Sequence, residues 1–149
     1  MSVEIRLLTV DELSEQLDTL AVANFAEVRP GETQALNVDF FRSGEKNGLI
    51  FIVGAVHDGN IIGYSVTFVL PDMHTSAVLA SNDVIYLDPR HRLGMTAVRL
   101  VRATEAEALR RGASIMQWNP LVDSRFTKLL GRLGYMPRSV TYRKELSDV

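Results

Sequence analysis

The fold of this chain is indicated by the stretch Tyr86-Leu87-Asp88-Pro89-Arg90-His91-Arg92-Leu93-Gly94-Met95-Thr96-Ala97. An apolar strand pattern runs into a turn that contains arginine and glycine, and a helical pattern follows. The first N–H groups of a helix lack internal partners and lie at the positive end of its dipole, so such a turn can bind an anion. Gly94 would let a ligand approach the backbone, and Arg90 and Arg92 would add positive charge. The alternative is an ordinary basic surface turn.

The spacing of this turn excludes two familiar nucleotide-binding motifs. A Walker loop needs a longer interval between glycines, followed by Lys and then Ser or Thr, and a dinucleotide-binding turn needs three glycines. Between Tyr86 and Ala97 the sequence has Gly94 alone. The expected anion is therefore not a nucleoside triphosphate.

The composition indicates one globular domain over residues 1–149. Of the 149 residues, 46% are hydrophobic and 23% are charged, which is enough for a sizeable core. The formal net charge is -2, with acidic and basic residues mixed along the chain, so no nucleic-acid partner is expected. No apolar run reaches membrane-spanning length and the N-terminus lacks a signal-peptide pattern, which favours a cytoplasmic protein without a membrane partner.

The absence of cysteine narrows the chemistry further. The sequence contains no cysteine, so disulfides, thiolate metal sites and an acyl-cysteine intermediate are excluded. The three histidines, His57, His74 and His91, are scattered and show no helical ligand spacing. We therefore expect no metal site.

The apolar pattern predicts an α/β fold with a mixed, mostly antiparallel sheet flanked by helices. Strands are predicted over residues 3–8, 49–56, 61–70, 77–87, 114–118 and 139–146. One predicted helix begins at Thr9 and carries an apolar stripe to Phe25, and others cover residues 37–45, 95–111 and 123–133. The element order is thus β-α-α-β-β-β-α-β-α-β.

Three features together resemble the GCN5-related N-acetyltransferase (GNAT) family over essentially the whole chain. They are the element order, the strand ending Val84-Ile85-Tyr86-Leu87-Asp88-Pro89 before an Arg/Gly turn and long helix, and the closing pattern Phe126-Thr127-Lys128-Leu129-Leu130-Gly131-Arg132-Leu133-Gly134-Tyr135. The resemblance implies the acyl-CoA N-acyltransferase fold, acetyl-CoA as acyl donor, a primary amine as acceptor and no further cofactor. Members of this family often form homodimers, and the sequence alone leaves the oligomeric state open.

The resemblance implies that the turn and the helix it opens bind the pyrophosphate of the donor through backbone N–H groups. The positions concerned are Arg92, Leu93, Gly94, Met95, Thr96 and Ala97. The pattern departs from that of the family, because Gly94 stands one position early and Met95 occupies the usual glycine. This departure puts the path of the loop in question.

The resemblance also implies that the pantetheine arm adds to the sheet like a strand. Its amides would bond to the backbones of Ile85 and Leu87, whose side chains can serve the core at the same time. Asp123 lies where the family often has an asparagine beside this arm, and it could instead, or in addition, cap the closing helix. The acceptor site is expected between residues 28–36 and the hairpin at 71–76.

Attack of a neutral amine on a thioester needs a group that accepts the amine proton. Asp83 lies six residues before Pro89, where the family often carries such a carboxylate. It shares strand parity with Ile85 and Leu87, so the three side chains should lie on one face unless a bulge intervenes. The alternative is that Asp83 simply faces solvent or caps the strand entry.

The general acid is not assigned, because the sequence does not fix the side-chain directions of Tyr86 and Tyr142. In the family it is often a tyrosine of the closing helix, and Leu130 occupies that position here. Two functions therefore remain open. The first is an acetyl-CoA-dependent N-acetyltransferase acting on a small-molecule or protein amine, and the second is a GNAT-fold module that binds CoA or a partner with weak or no catalysis.

Overall fold

A five-stranded sheet organises the chain up to Asn119. The computed structural model describes residues 2–16, 20, 23, 24, 26, 27, 29 and 37–147, and the chain divides into two compact units, Met1–Asn119 and Pro120–Val149. In chain order, the strands are β1 (Glu4–Leu8), β2 (Ile50–His57), β3 (Asn60–Pro71), β4 (Val78–Leu87) and β5 (Ile115–Gln117). They lie side by side in that order.

The pairing within the sheet is mixed, as expected. Strands β1 to β4 pair antiparallel, and β5 pairs parallel with β4. The turn between β2 and β3 places Asp58 and Gly59 at φ 50 and 78, which is the backbone that a tight hairpin turn requires. The five predicted strands before residue 119 are confirmed, and so is the α/β fold class.

Three α-helices of the first unit are described from end to end. They are α1 (Val10–Ser14), α2 (Val38–Lys46) and α3 (Thr96–Arg110), and a short 3-10 helix (Pro89–His91) precedes α3. Helix α1 begins with a capping box in which Thr9 and Glu12 bond reciprocally. The predicted continuation of its apolar stripe through Leu17, Ala21 and Phe25 lies outside the described residues. Helix α3 ends before Gly112, at φ 92, as predicted.

The sheet separates two apolar cores. The first core packs the α1 side of the sheet and includes Leu13, Ile52 and Tyr86. The second packs the α3 side and includes Phe51 and Leu100, both 2% exposed or less. Side chains that alternate along β4 therefore enter different cores.

The second unit differs from expectation in two places. It contains α4 (Arg125–Arg132), whose N-cap is Ser124 rather than Asp123, because the Ser124 hydroxyl accepts the Thr127 N–H at 3.2 Å. The predicted strand over residues 139–146 is not observed. Tyr142 is 93% exposed and Leu146 is 90% exposed, so the alternating pattern buries neither residue, and a strand without a ladder partner and a buried face is not stable.

No helix in the described ranges is long and apolar enough to cross a lipid bilayer.

Candidate functional site

Strands β4 and β5 separate after a short ladder. Their parallel register runs from Leu79 opposite Ile115 to Ser81 opposite Gln117, and no further pair follows in the described part of β5. Beyond Ser81, β4 continues to Leu87 paired with β3 alone among the described strands. We call this opening between β4 and the end of β5 the fork.

The backbones of Ile85 and Leu87 face the fork. The Asp88 N–H donates to the Ile62 carbonyl at 2.7 Å, which makes these two residues a hydrogen-bonded pair of the β3–β4 ladder. Such pairs alternate along an antiparallel ladder, so Tyr86 bonds toward β3 while Ile85 and Leu87 turn their N–H and C=O groups away from β3. These are the two residues that the sequence predicts for the donor arm.

Helix α3 begins without a side-chain cap. Met95 is the N-cap residue and its side chain bonds no backbone N–H, so the first N–H groups of the helix, at Thr96 and Ala97, receive no capping bond from it. A Cβ added to Gly94 would meet no described atom within 4 Å. Leu93 is 97% exposed and Met95 is 65% exposed. An anion can therefore reach the positive end of this helix.

Arg92 already forms hydrogen bonds with other groups of the protein. Its two terminal nitrogens donate to both carboxylate oxygens of Glu27 at 2.9 and 2.8 Å, and its Nε donates to the Leu87 carbonyl at 2.6 Å. The guanidinium also lies 5.6 Å from the centre of the Tyr86 ring. Arg92 is charged, as expected, but Glu27 neutralises that charge within the pair. Glu27 lies 65 residues away in sequence, so no local pattern signals this pair.

Arg90 is likewise paired. Its Nε and one terminal nitrogen donate to the two oxygens of Asp88 at 3.1 and 2.7 Å. These bonds hold the pKa of Asp88 down to about 2. The charge of Arg90 is therefore also compensated, and the main attraction for an anion in this turn comes from the N–H groups of α3.

Asp83 occupies a β-bulge in β4. Val66 pairs with Val84 and the next β3 residue, Thr67, pairs with Asn82, so Asp83 has no partner in the register. The extra residue reverses the alternation of side chains. Ile85 consequently packs in the core on the α3 side. The bulge that the sequence analysis allowed for is therefore present, and Asp83 does not share that face; bulges often re-aim side chains next to active sites.

The electrostatic surroundings of Asp83 make it a stronger base than an ordinary aspartate. Asp83 is exposed as a residue, but partial loss of water around its carboxylate raises its pKa, while the charge of Arg29 opposes the rise. Its own charge helps to raise the pKa of Tyr64 to about 12, for which burial is the main cause and against which a hydrogen bond with Asn24 acts. Tyr64 is therefore neutral at pH 7.

Three predicted features remain, which are Asp123, Leu130 and the acceptor segments. Asp123 belongs to the second unit, where it is exposed and adopts φ 60. Leu130 is 6% exposed within α4.

Of the expected acceptor segments, residue 28 and residues 30–36 lie outside the described part. In the hairpin at 71–76, the Asp72 N–H donates to the Ala77 carbonyl at 2.9 Å. Across the described positions no three His, Asp or Glu side chains form a group that could hold a metal ion.

No model of a known protein family matches the sequence, and no curated protein matches it. Solved structures match its fold over nearly the whole chain. A ribosomal-protein-alanine N-acetyltransferase from Brucella melitensis biovar Abortus 2308 superimposes with a TM-score of 0.73 at 20% identity, covering 97% of this chain and 100% of its own. A GNAT family acetyltransferase from Staphylococcus aureus gives 0.70 at 17% identity, covering 98% and 100%.

A third structure shows a ligand. The acetyltransferase AAC(6')-Iy, in complex with the bisubstrate analogue CoA-S-monomethyl-acetylneamine, superimposes with a TM-score of 0.69 at 19% identity, covering 98% of this chain and 100% of its own. At these identities the likeness establishes the fold. The expected acyl-CoA N-acyltransferase fold is thereby confirmed.

Proposed function

We propose that this chain, which has the fold of the GCN5-related N-acetyltransferases, is an acetyl-CoA-dependent member of that family that transfers acetyl directly to a primary amine. One observation carries the proposal. The open edge of β4 runs into the uncapped start of α3, so amide-bonding groups and anion-binding groups follow each other along the chain. A pantetheine arm that ends in a pyrophosphate needs both groups in that order.

The donor fits these groups by its chemistry. Its pantetheine amides would pair with the backbones of Ile85 and Leu87, and the Leu87 carbonyl would exchange its bond from Arg92 for one from the ligand. Its pyrophosphate would lie on the backbone N–H groups of residues 92–97, with close approach at Gly94. We also assign Asp123 to the pantetheine arm, which rests on the family resemblance alone.

Asp83 is the group that we assign to the amine proton. Acetyl-CoA supplies the thioester acyl group when bound, and the acceptor amine must lose a proton to attack it. The raised pKa of Asp83 lies closer to the working pH than that of an ordinary aspartate. Leu130 offers no proton to the leaving thiolate, so that proton comes from solvent or from another group.

A second candidate function is a CoA-binding module of this fold without efficient catalysis. The buried Leu130, at the position of the usual tyrosine, favours it. This candidate predicts the same donor binding as the enzyme. It differs in predicting no release of thiol.

Calorimetry with acetyl-CoA and an assay of free thiol separate these functions. The enzyme should bind the donor at concentrations on the order of tens of micromolar and release CoA in proportion to added amine. Binding without release across varied amines would support the module instead. No binding in that range would exclude the enzyme and leave only a module that binds a partner other than CoA. The proposal also includes a cytoplasmic homodimer, and sedimentation of the purified protein tests the dimer.

A further inference from the structure

Asn82 is a buried residue beside the bulge. It precedes Asp83 in β4 and is 4% exposed. Its side-chain Nδ2 lies 3.1 Å from each of three oxygens, which are the Ser65 hydroxyl and the carbonyls of Val66 and Val84. A buried amide with several partners keeps one orientation, because each alternative leaves polar groups unpaired.

These bonds hold the bulge at one position. Val66 on β3 and Val84 on β4 face each other immediately beyond Asp83. A bulge disrupts the ladder locally, and the Asn82 amide adds bonds to carbonyls of both strands at that point. Moving the bulge by one residue would carry the amide away from them, so the side chain favours the register that leaves Asp83 as the extra residue.

The same network reaches helix α3. The Ser65 hydroxyl lies 3.2 Å from the Thr104 hydroxyl, which donates to the Leu100 carbonyl at 2.8 Å. Ser65 and Thr104 are both fully buried. The bulge is thus tied to the helix whose N-terminus forms the anion-binding turn.

The backbone of Asn82 marks the start of the fork. Its carbonyl accepts a hydrogen bond from the Asn119 Nδ2 at 2.8 Å, directly after the last β4–β5 pair at Ser81. This bond links β4 to the chain that leaves β5. Beyond it, the backbone of Ile85 turns toward the fork.

We propose that Asn82 is the positioning residue of this site, whose side chain holds the bulge that carries Asp83 and whose carbonyl, bound by Asn119, holds the start of the fork. The residue acts through Asp83 and Ile85 rather than on a substrate. Its catalytic consequence rests on the proposed function. Its effect on Asp83 does not, because the titration of that carboxylate can be followed in a protein without activity.

The test compares three variants by carboxyl NMR titration of Asp83, with the signal assigned by its loss in Asp83→Asn. We expect Asn82→Ala to return the Asp83 pKa toward the ordinary value, because the carboxylate is no longer held in its partly dehydrated position. Arg29, whose charge lowers the pKa of Asp83, and Tyr64, whose pKa Asp83 helps to raise, are unchanged in every variant. Thr104→Val is the matched control, because it removes a buried hydroxyl of the same network and leaves the bonds to both carbonyls intact.

Kinetic measurements extend the test. In Asn82→Ala, kcat should fall by about tenfold or more, and the acidic limb of its pH profile should move to lower pH. In Thr104→Val, the acidic limb should stay at the pH of the parent protein. Asn119→Ala should raise the acetyl-CoA dissociation constant several-fold without changing the Asp83 titration. These effects distinguish a positioning role of Asn82 from a general loss of protein stability.

An Asn82→Ala protein that is less stable but keeps the Asp83 pKa and the acidic limb would overturn the proposal. If this variant does not fold, Asn82→Ser, which keeps a hydroxyl donor in a smaller side chain, replaces it and is judged by the same titration. A protein that binds no acetyl-CoA but shows the Asn82-dependent titration would refute the proposed function and leave the positioning role standing.

Discussion

At the residue scale, Asp83 stands at the position proposed for the general base, and its ionisation lowers the stability of the fold. Its pKa is raised in the folded state, so ionisation at neutral pH destabilises the fold relative to the unfolded chain. Groups of this kind are common at active sites, where stability is exchanged for reactivity. The sign is fixed by linkage: stability contributed by this group is present below its unfolded pKa and is lost as pH rises through the folded value.

Asp83→Asn should therefore affect activity and stability in opposite directions. We expect turnover to fall by about 10²-fold or more, because the proposed general base is lost, while acetyl-CoA affinity stays within a few-fold. Thermal unfolding at pH 7 should occur at the same or a higher temperature than in the parent protein. Glu105→Gln, the same carboxylate-to-amide change on α3, is the control. An unaltered rate would remove Asp83 from the mechanism.

The sequence singles out the residues of the candidate site, but it does not give the directions of their side chains. Asp83 stands out because a carboxylate is unfavourable inside a strand. The bulge that turns it depends on the register with β3, which strand parity alone does not contain. Arg92 shows the same limit, since its charge is compensated by a residue that is distant in the chain.

At the scale of elements, the turn before α3 allows ligand binding to be tested independently of folding. Gly94 adopts no left-handed conformation, and a side chain there would meet no described atom. The folded protein therefore has no packing reason to require glycine at this position. A ligand that approaches the backbone would supply such a reason.

Gly94→Val should weaken acetyl-CoA binding by about tenfold or more without lowering the unfolding temperature, because the added methyl groups occupy the ligand's space alone. Calorimetry and thermal unfolding measure the two quantities. Gly131→Ala is the control, since Gly131 lies in α4 and its added Cβ likewise meets no described atom within 4 Å. Equal donor affinity in Gly94→Val and the parent would exclude this turn as the pyrophosphate site.

Local signals explain which elements could be predicted. The strands of the sheet and α3 are long, periodic and ended by clear turn residues such as Gly59 and Gly112. The segment at 139–146 has alternation but no buried face, so its pattern predicted a strand that does not form. The cap of α4 was misplaced by one residue because Asp123 and Ser124 are both good N-cap types.

At the scale of the whole molecule, the Arg92–Glu27 pair joins two distant parts of the first unit. One part is the segment between α1 and α2, and the other is the turn that leads to α3. The pair is partly exposed, so its direct contribution to stability is about 0.2–1 kcal/mol. Its larger effect falls on the electrostatic potential of the turn, because Glu27 cancels a positive charge beside the proposed anion site.

Glu27→Gln should therefore strengthen acetyl-CoA binding, by about two- to tenfold at low ionic strength, with the gain shrinking as salt is added. Calorimetry at two salt concentrations measures this effect. Glu105→Gln removes the same charge from another exposed Arg–Glu pair, with Arg102, and should leave affinity unchanged. Weaker binding in Glu27→Gln would show instead that Glu27 holds Arg92 in the arrangement that the donor needs.

The fork has a consequence for the protein without its ligand. A strand whose backbone groups lack a neighbouring strand is a template for another chain, and natural sheets protect such edges. Here the bond from Arg92 to the Leu87 carbonyl satisfies one group of the edge, while the backbone of Ile85 has no β5 partner in the described ladder. A donor arm would complete the sheet. The ligand-free form is therefore the one exposed to edge-to-edge aggregation, and bound CoA would act as its protection during storage and concentration.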